Sequence, residues 1–261
     1  MKFDILVEKI LSTKFLVERV GKKIVIFPGG FHPFHLGHKS VFDNIKNQFP
    51  DADSYIAITD YTEDRPFTAK EKKLIISSTG VDGKKVVQVK SPFRSEEILK
   101  NYNPDKDVVI FAISEKERND PKKAGLFTRT KKDGTPSYFQ DYDPSSLQTF
   151  GKHGYIFVFP TEEFSIAGKK FKSASQLREF YKSLKDKEKT SLLKSMYIKN
   201  IDQIKKLFDK RLAGSSEENE MSQFIDKERI KDENKAFGVD GIYKNPPYLV
   251  DNEISVGRMK Y

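Results

Sequence analysis

The residues best equipped for chemistry lie in one stretch, Pro28-Gly29-Gly30-Phe31-His32-Pro33-Phe34-His35-Leu36-Gly37-His38, which holds three of the four histidines. Gly29 and Gly30 permit backbone angles closed to other residues, and Gly37 would let a ligand approach the main chain without meeting a side chain. His38 falls where a helix is expected to begin, and there unpaired N–H groups and the helix dipole favour phosphate. His35 and His38 are three apart, so a winding backbone turns both toward a common site. Metal binding is the competing use for two histidines at this spacing, but no adjacent acidic or thiolate residue completes a ligand set, and no metal site is expected. Taken alone, the loop supports phosphate binding. His32 either shapes a pocket or braces the loop.

Such a loop needs a rigid frame on both sides. Residues 22–27 are a short apolar run rich in β-branched side chains, the pattern of a strand buried on both faces of a parallel sheet. After the loop, Val41, Ile45 and Phe49 mark one face of a helix that ends near Pro50. The alternation continues with strands over 55–58, 86–89, 108–113 and 155–159. Between them come a helix from Thr68, where Glu71 completes a capping box, and a short helix over 95–102. This order predicts an α/β, Rossmann-like, doubly wound parallel sheet of about five strands, with ligands at the carboxyl ends of the strands. The roughly 40 residues between the last two strands have weak periodicity and read as a long loop, a candidate lid. Residues 165–171, with Gly168 inside, read as a small hairpin, followed by a helix from Ser173 that Gln176 helps to cap.

The same reasoning divides the chain into an N-terminal packing helix over 1–20, a main domain over 21–186, a helical extension over 187–214 closed at Gly214, and a linker and tail over 215–261. Composition sets outer limits. No run approaches the roughly 18 apolar residues of a membrane span, and no membrane partner is expected. Zero cysteines remove disulfides and thiolate chemistry, which fits a reducing, cytoplasmic compartment. A formal charge of +9 favours polyanionic ligands, and nucleoside triphosphates and nucleic acid both qualify.

His35-Leu36-Gly37-His38, after a strand and a Gly-Phe-His-Pro-Phe stretch, resembles the HxGH motif of the nucleotidyltransferase superfamily. Ser173-Ala174-Ser175-Gln176-Leu177-Arg178 resembles the superfamily's ISSTxIR segment, which opens a late helix. Further segments, among them 87–92, 109–116, 132–139 and 152–155, are similar to phage-encoded cytidyltransferase-like proteins, and the likeness covers about residues 22–184. The resemblance implies an enzyme that transfers a nucleoside monophosphate from ATP or CTP to a small phosphate-bearing acceptor and releases pyrophosphate. Mg²⁺ would travel with the nucleoside triphosphate. His35, His38 and Arg178 would be catalytic, contacting the triphosphate and the crowded α-phosphate. Gly29, Gly30, Phe31, Gly37, Ser173 and Ser175 would line or hold the nucleotide. His32 and Arg65, the latter just before Pro66-Phe67-Thr68, would attend the acceptor or the transition state. Related loops often carry an arginine where this chain has Gly30, a departure that bears on the acceptor and on activity.

Two other classes stay open. One is a nucleotide-binding or virion-associated interaction protein that keeps the fold without turnover and docks a second copy or another protein through its C-terminal extension. The other, ranked below it, is nucleic-acid binding through the basic surface, which predicts strongly salt-dependent retention. A phage-encoded chain would act in the host cytoplasm. The choice between ATP and CTP is not legible in these motifs.

Overall fold

Successive side chains of a strand point to opposite faces of its sheet, so an unbroken apolar strand must be covered on both sides. β1 (Lys23–Pro28) and β4 (Val108–Ser114) meet that condition. Val25, Val108, Ile110 and Ala112 enter one hydrophobic cluster, while Ile24, Ile26, Val109, Phe111 and Ile113 enter a second cluster on the other face. A computed structural model of the chain describes residues 21–60, 65–127, 129–160, 164–166, 168–171 and 173–212. The helix expected over 1–20, Gly214 and the tail over 215–261 lie outside the described residues.

β1, β2 (Asp53–Ile58), β3 (Val86–Gln88), β4, β5 (Phe139–Asp141) and β6 (Gly154–Phe159) form one sheet in the order β3-β2-β1-β4-β6-β5, and every pairing is parallel. The sheet therefore has six strands where about five are expected. The extra strand, β5, lies inside the stretch read as a long loop and pairs only with β6 at the sheet edge. β7 (Phe164–Ile166) and β8 (Lys169–Phe171) make the expected antiparallel hairpin around Gly168. Strand order reverses between β1 and β4, so a crevice opens at their carboxyl ends, the place where open α/β sheets take ligands.

Helices α1 (Leu36–Gln48) and α2 (Ala69–Ser77) cover the first face through Val41, Phe42, Ile45, Ile75 and Ile76. The Thr68 hydroxyl accepts from the Glu71 N–H at 3.3 Å and the Glu71 carboxylate accepts from the Thr68 N–H at 2.8 Å, which starts α2 as the capping pattern predicts. Short helices α3 (Glu96–Leu99) and α4 (Glu115–Arg118) follow β3 and β4. α5 (Ala174–Ser183), α6 (Asp186–Met196) and α7 (Ile201–Leu212) close the chain's described part.

α6 and α7 share the sheet's first cluster through Leu192, Leu193, Met196, Ile204, Phe208 and Leu212. They also reach the histidine loop. The buried Tyr197 hydroxyl donates to the Phe34 carbonyl at 2.9 Å, and the Phe208 ring lies 5.2 Å from that of Phe67. Arg211 donates twice to the Glu71 carboxylate, at 3.0 and 2.8 Å, tying α7 to the head of α2. Among the described residues no helix is long and apolar enough to cross a membrane.

Candidate active site

The loop between β1 and α1 is built around its aromatic residues. Phe31 takes a left-handed backbone angle (φ 52°), costly for a bulky residue unless its surroundings hold it. Its buried ring packs on Phe27, Phe34 and His38 with centroids 5.2, 5.3 and 5.0 Å away. A Cβ on Gly29 would meet that ring at 2.5 Å, so the glycine makes room for Phe31 to fold back.

His35 and His38 cap the helix they introduce. The His38 N–H donates to His35 Nδ1 at 3.4 Å and the His35 N–H donates to His38 Nδ1 at 3.3 Å, both long bonds. A neutral imidazole whose Nδ1 accepts must carry its proton on Nε2, so the reciprocal cap makes both rings Nε2–H donors. Burial holds the His35 imidazole well below its ordinary value, with His38 adding to the effect, and burial pushes His38 down to about 3. Both rings are therefore neutral near pH 7. His35 is sandwiched, stacking on His38 at 3.7 Å and on Phe164 at 3.8 Å between centroids.

These residues line a cleft of about 790 Å³ at the crevice between β1 and β4, within the size range of ligand pockets. Gly29, Gly30, Phe31, His35, Gly37 and His38 form one wall, and Ser173 with Ala174 brings in the start of α5. Two helix N-termini thus open on one cavity, each with unpaired N–H groups and the positive end of a helix dipole. The Ser173 hydroxyl caps α5 by accepting from the Gln176 N–H at 3.3 Å. Lys116, Asn119, Asp120 and Lys123, beyond the end of β4, line the opposite side, and Lys123 pairs with Glu117. Neutral donors, cations and helix starts around an open cavity suit an anion carrying several phosphates.

The remaining expected site residues stand behind this wall. Arg178 donates from Nη1 to the His32 carbonyl and from Nη2 to the Ser175 hydroxyl at 3.1 Å, so its guanidinium ties α5 to the loop and Ser175 faces that guanidinium. His32 is buried and accepts at Nδ1 from the Phe67 N–H at 3.4 Å. Burial, with the charges of Lys72, Arg65 and Arg178, lowers its pKa strongly. The Arg65 guanidinium lies against Gly30, where a Cβ would collide with it. Gly37 departs from expectation in one respect. The volume a side chain would fill there is occupied by the Phe164 ring at 3.0 Å and His35 at 3.2 Å, so the missing Cβ serves packing as well as the cleft it lines.

Sequence reasoning missed Phe164, because an aromatic residue in a short hairpin gives no hint of a stack across more than a hundred residues. It also passed over Lys116 and Lys123, although their place just after β4 at the strand-order reversal was a usable signal.

The family described as cytidylyltransferase-like matches residues 26–201, from within β1 to the start of α7. The chain belongs to that family. The span matched to the cytidylyltransferase-like family contains the histidine loop, Arg65, the hairpin and α5. Over 96 residues the chain is 33% identical to nicotinamide-nucleotide adenylyltransferase 1 of Sulfolobus acidocaldarius, which covers 33% of this chain and 55% of that protein. The chain thus spans about half the length of the curated relative it matches. Among solved structures, nicotinic acid mononucleotide adenylyltransferase of Plasmodium falciparum, complexed with NaAD, aligns at 16% identity with a TM-score of 0.41, covering 72% of this chain and 98% of that one. A bifunctional NMN adenylyltransferase/ADP ribose pyrophosphatase from Francisella tularensis aligns at 14% identity with a TM-score of 0.40, covering 79% and 56%.

Proposed function

We propose that the chain is a nucleotidyltransferase that moves an adenylyl group from ATP to a small phosphate-bearing acceptor and releases pyrophosphate. The observation that carries this reading is the meeting of two Nε2–H imidazoles and two helix N-termini on a single cleft. In it, the acceptor's phosphate oxygen attacks the α-phosphorus in line, the bond to the β-phosphate oxygen breaks, and pyrophosphate departs. His35 and His38 donate hydrogen bonds to the phosphate oxygens on which charge accumulates, while the start of α5 with Ser173 holds the β- and γ-phosphates. Because both imidazoles are neutral and fixed in one tautomer, they supply preorganised donors with no proton to rearrange. Mg²⁺ enters as part of the substrate in this reading, chelated by the triphosphate.

The Sulfolobus relative's name supports ATP over CTP and a nicotinamide nucleotide as acceptor. The test is direct. ATP or CTP with Mg²⁺ is incubated with nicotinamide mononucleotide and other phosphorylated metabolites, and pyrophosphate and the joined product are measured by mass spectrometry. Pyrophosphate release with ATP is expected, and His35→Ala or His38→Ala should lower the rate about 100-fold or more. No pyrophosphate from either nucleotide with any acceptor overturns the reading. The engagement of Arg178 by the His32 carbonyl and Ser175 favours a second reading, nucleotide binding without turnover. ATP binding in that assay without product would support it.

A further inference from the structure

The hydrogen bonds that join His35 to His38 are long, and by themselves they would hold the two rings loosely. A flat column of rings adds what they lack. His38, His35 and Phe164 follow one another with centroids 3.7 and 3.8 Å apart and interplanar angles of 22° and 13°. Aromatic pairs left to themselves prefer offset or edge-on contact, so overlap this close is imposed by the elements that carry the rings. The column continues into the hairpin and α5. Phe171 lies 5.6 Å from Phe164 at 23°, and Phe180 of α5 lies 5.5 Å from Phe171. Phe164 and Phe171 are paired across β7 and β8, which puts both side chains on one face of the hairpin. The Lys169 ammonium stands 3.8 Å over the Phe180 ring at the far end. Gly37 makes the close approach possible, since a Cβ there would stand 3.0 Å from Phe164 and 3.2 Å from His35.

We infer that Phe164 is a positioning residue for the phosphate-binding imidazole, and that the β7–β8 hairpin sets the register between His35 and the start of α5. This rests on the nucleotidyl-transfer reading for what the imidazole does, and not for how it is held. With His38 on one face, Phe164 on the other and Nδ1 accepting the His38 N–H, the His35 ring cannot turn about its own bond, and its Nε2 edge is left to the cleft. The same hairpin leads directly into Ser173, the cap of α5, while Phe171 packs on Phe180 in that helix. The two halves of the cleft come from distant segments of chain, and the column of rings ties one to the other. The Nε2–H donor and the N–H groups that open α5 therefore keep a fixed separation before any ligand arrives, which is the preorganisation that stabilising a developing charge requires.

The experiment compares two variants that both keep an apolar side chain in the core. Phe164→Leu removes the flat face, and Phe164→Tyr retains it. Long-range ¹H–¹⁵N spectra at pH 8 report the His35 tautomer, the pyrophosphate assay gives kcat and KM for ATP, and urea unfolding monitors the fold. The unaltered protein and Phe164→Tyr are expected to show a single Nε2–H tautomer for His35. In Phe164→Leu the two ring-nitrogen shifts should move toward each other as tautomers mix, and kcat should fall roughly 2- to 10-fold with KM for ATP little changed. Gly37→Ala, whose methyl group pushes the Phe164 ring away from His35, should mix the tautomers in the same way and decides the question if Phe164→Leu does not fold. A role in packing alone predicts rates that follow stability and a tautomer that stays fixed in every folded variant. A single Nε2–H tautomer in folded Phe164→Leu and Gly37→Ala, or equal kcat in the Leu and Tyr variants, would overturn the assignment. Absence of pyrophosphate from every variant would count against the catalytic reading, while the tautomer comparison would still decide whether Phe164 positions the ring.

Discussion

Lowering the pH from 7.5 to 5.5 should cost the folded protein about 4 kcal/mol, and three histidines account for it. His32 and His35 are each 5% exposed, and both are held below their ordinary pKa, as is His38, which is lowered to about 3. Above pH 6.5 the folded and unfolded chains both carry these imidazoles neutral, and no linkage term arises. Below it, the unfolded chain binds protons that the folded chain refuses, so stability falls as pH falls. At pH 5.5 each unfolded imidazole gains about 1.4 kcal/mol, one pKa unit's worth, and three give about 4 kcal/mol. That sum is insensitive to the folded values as long as they lie below roughly 4.5. His153, half-buried and also lowered, adds to the loss. Carboxylates held low, such as Glu71 and Asp209, lose their contribution only at more acid pH, below their ordinary range. With no tryptophan in the chain, urea unfolding followed by far-ultraviolet circular dichroism at pH 7.5, 6.5 and 5.5 is the suitable assay. His38→Asn, which keeps an acceptor for the His35 N–H, should remove about a third of the dependence. A loss under about 1 kcal/mol between pH 7.5 and 5.5 would refute the argument, since it would mean that the folded loop accepts protons as readily as the unfolded chain.

Three substitutions probe other parts of the frame. Phe164→Ala removes one side of the His35 stack together with a buried core ring, so it should lower kcat roughly 2- to 10-fold in the pyrophosphate assay and also destabilise the protein by about 3–5 kcal/mol in urea unfolding. Tyr197→Phe strips the buried Phe34 carbonyl of its donor and should destabilise the protein by about 1–3 kcal/mol in equilibrium unfolding. Ile110→Ala, at a fully buried site in the central strand β4, should cost about 2–5 kcal/mol by the same measurement, as a large side chain is lost from a close-packed core.

Legibility followed how local each cause was. β4 was readable because Val108 through Ile113 are all apolar and both faces of the strand are buried, leaving one consistent interpretation. β5 was not, since three residues with only Phe139 buried carry no period, and the strand exists through its pairing with β6 fifteen residues on. The caps at Thr68 and Ser173 were visible in residue type and spacing. The mutual cap of His35 and His38 was half visible: the spacing put both rings on one side, while imidazoles acting as cap acceptors lie outside the usual Ser, Thr, Asp and Asn choices. What escaped entirely were contacts between distant segments. Arg178 reaches the His32 carbonyl across 146 residues, and Arg65 finds Gly30 only because the sheet brings the ends of β1 and β2 side by side.

The match to relatives stops at residue 201, yet the load path of the molecule does not. Phe208 presses on Phe67, whose amide holds His32, and Tyr197 grips the backbone at Phe34. A minimal version trimmed to the matched span would therefore retain every loop residue and Tyr197 and still forfeit the support that Phe208 gives to Phe67. Any event that pries the last described helix away is transmitted to the pocket through the Phe208 ring, which also leans on Tyr181 and Tyr197, and through the Arg211 grip on Glu71.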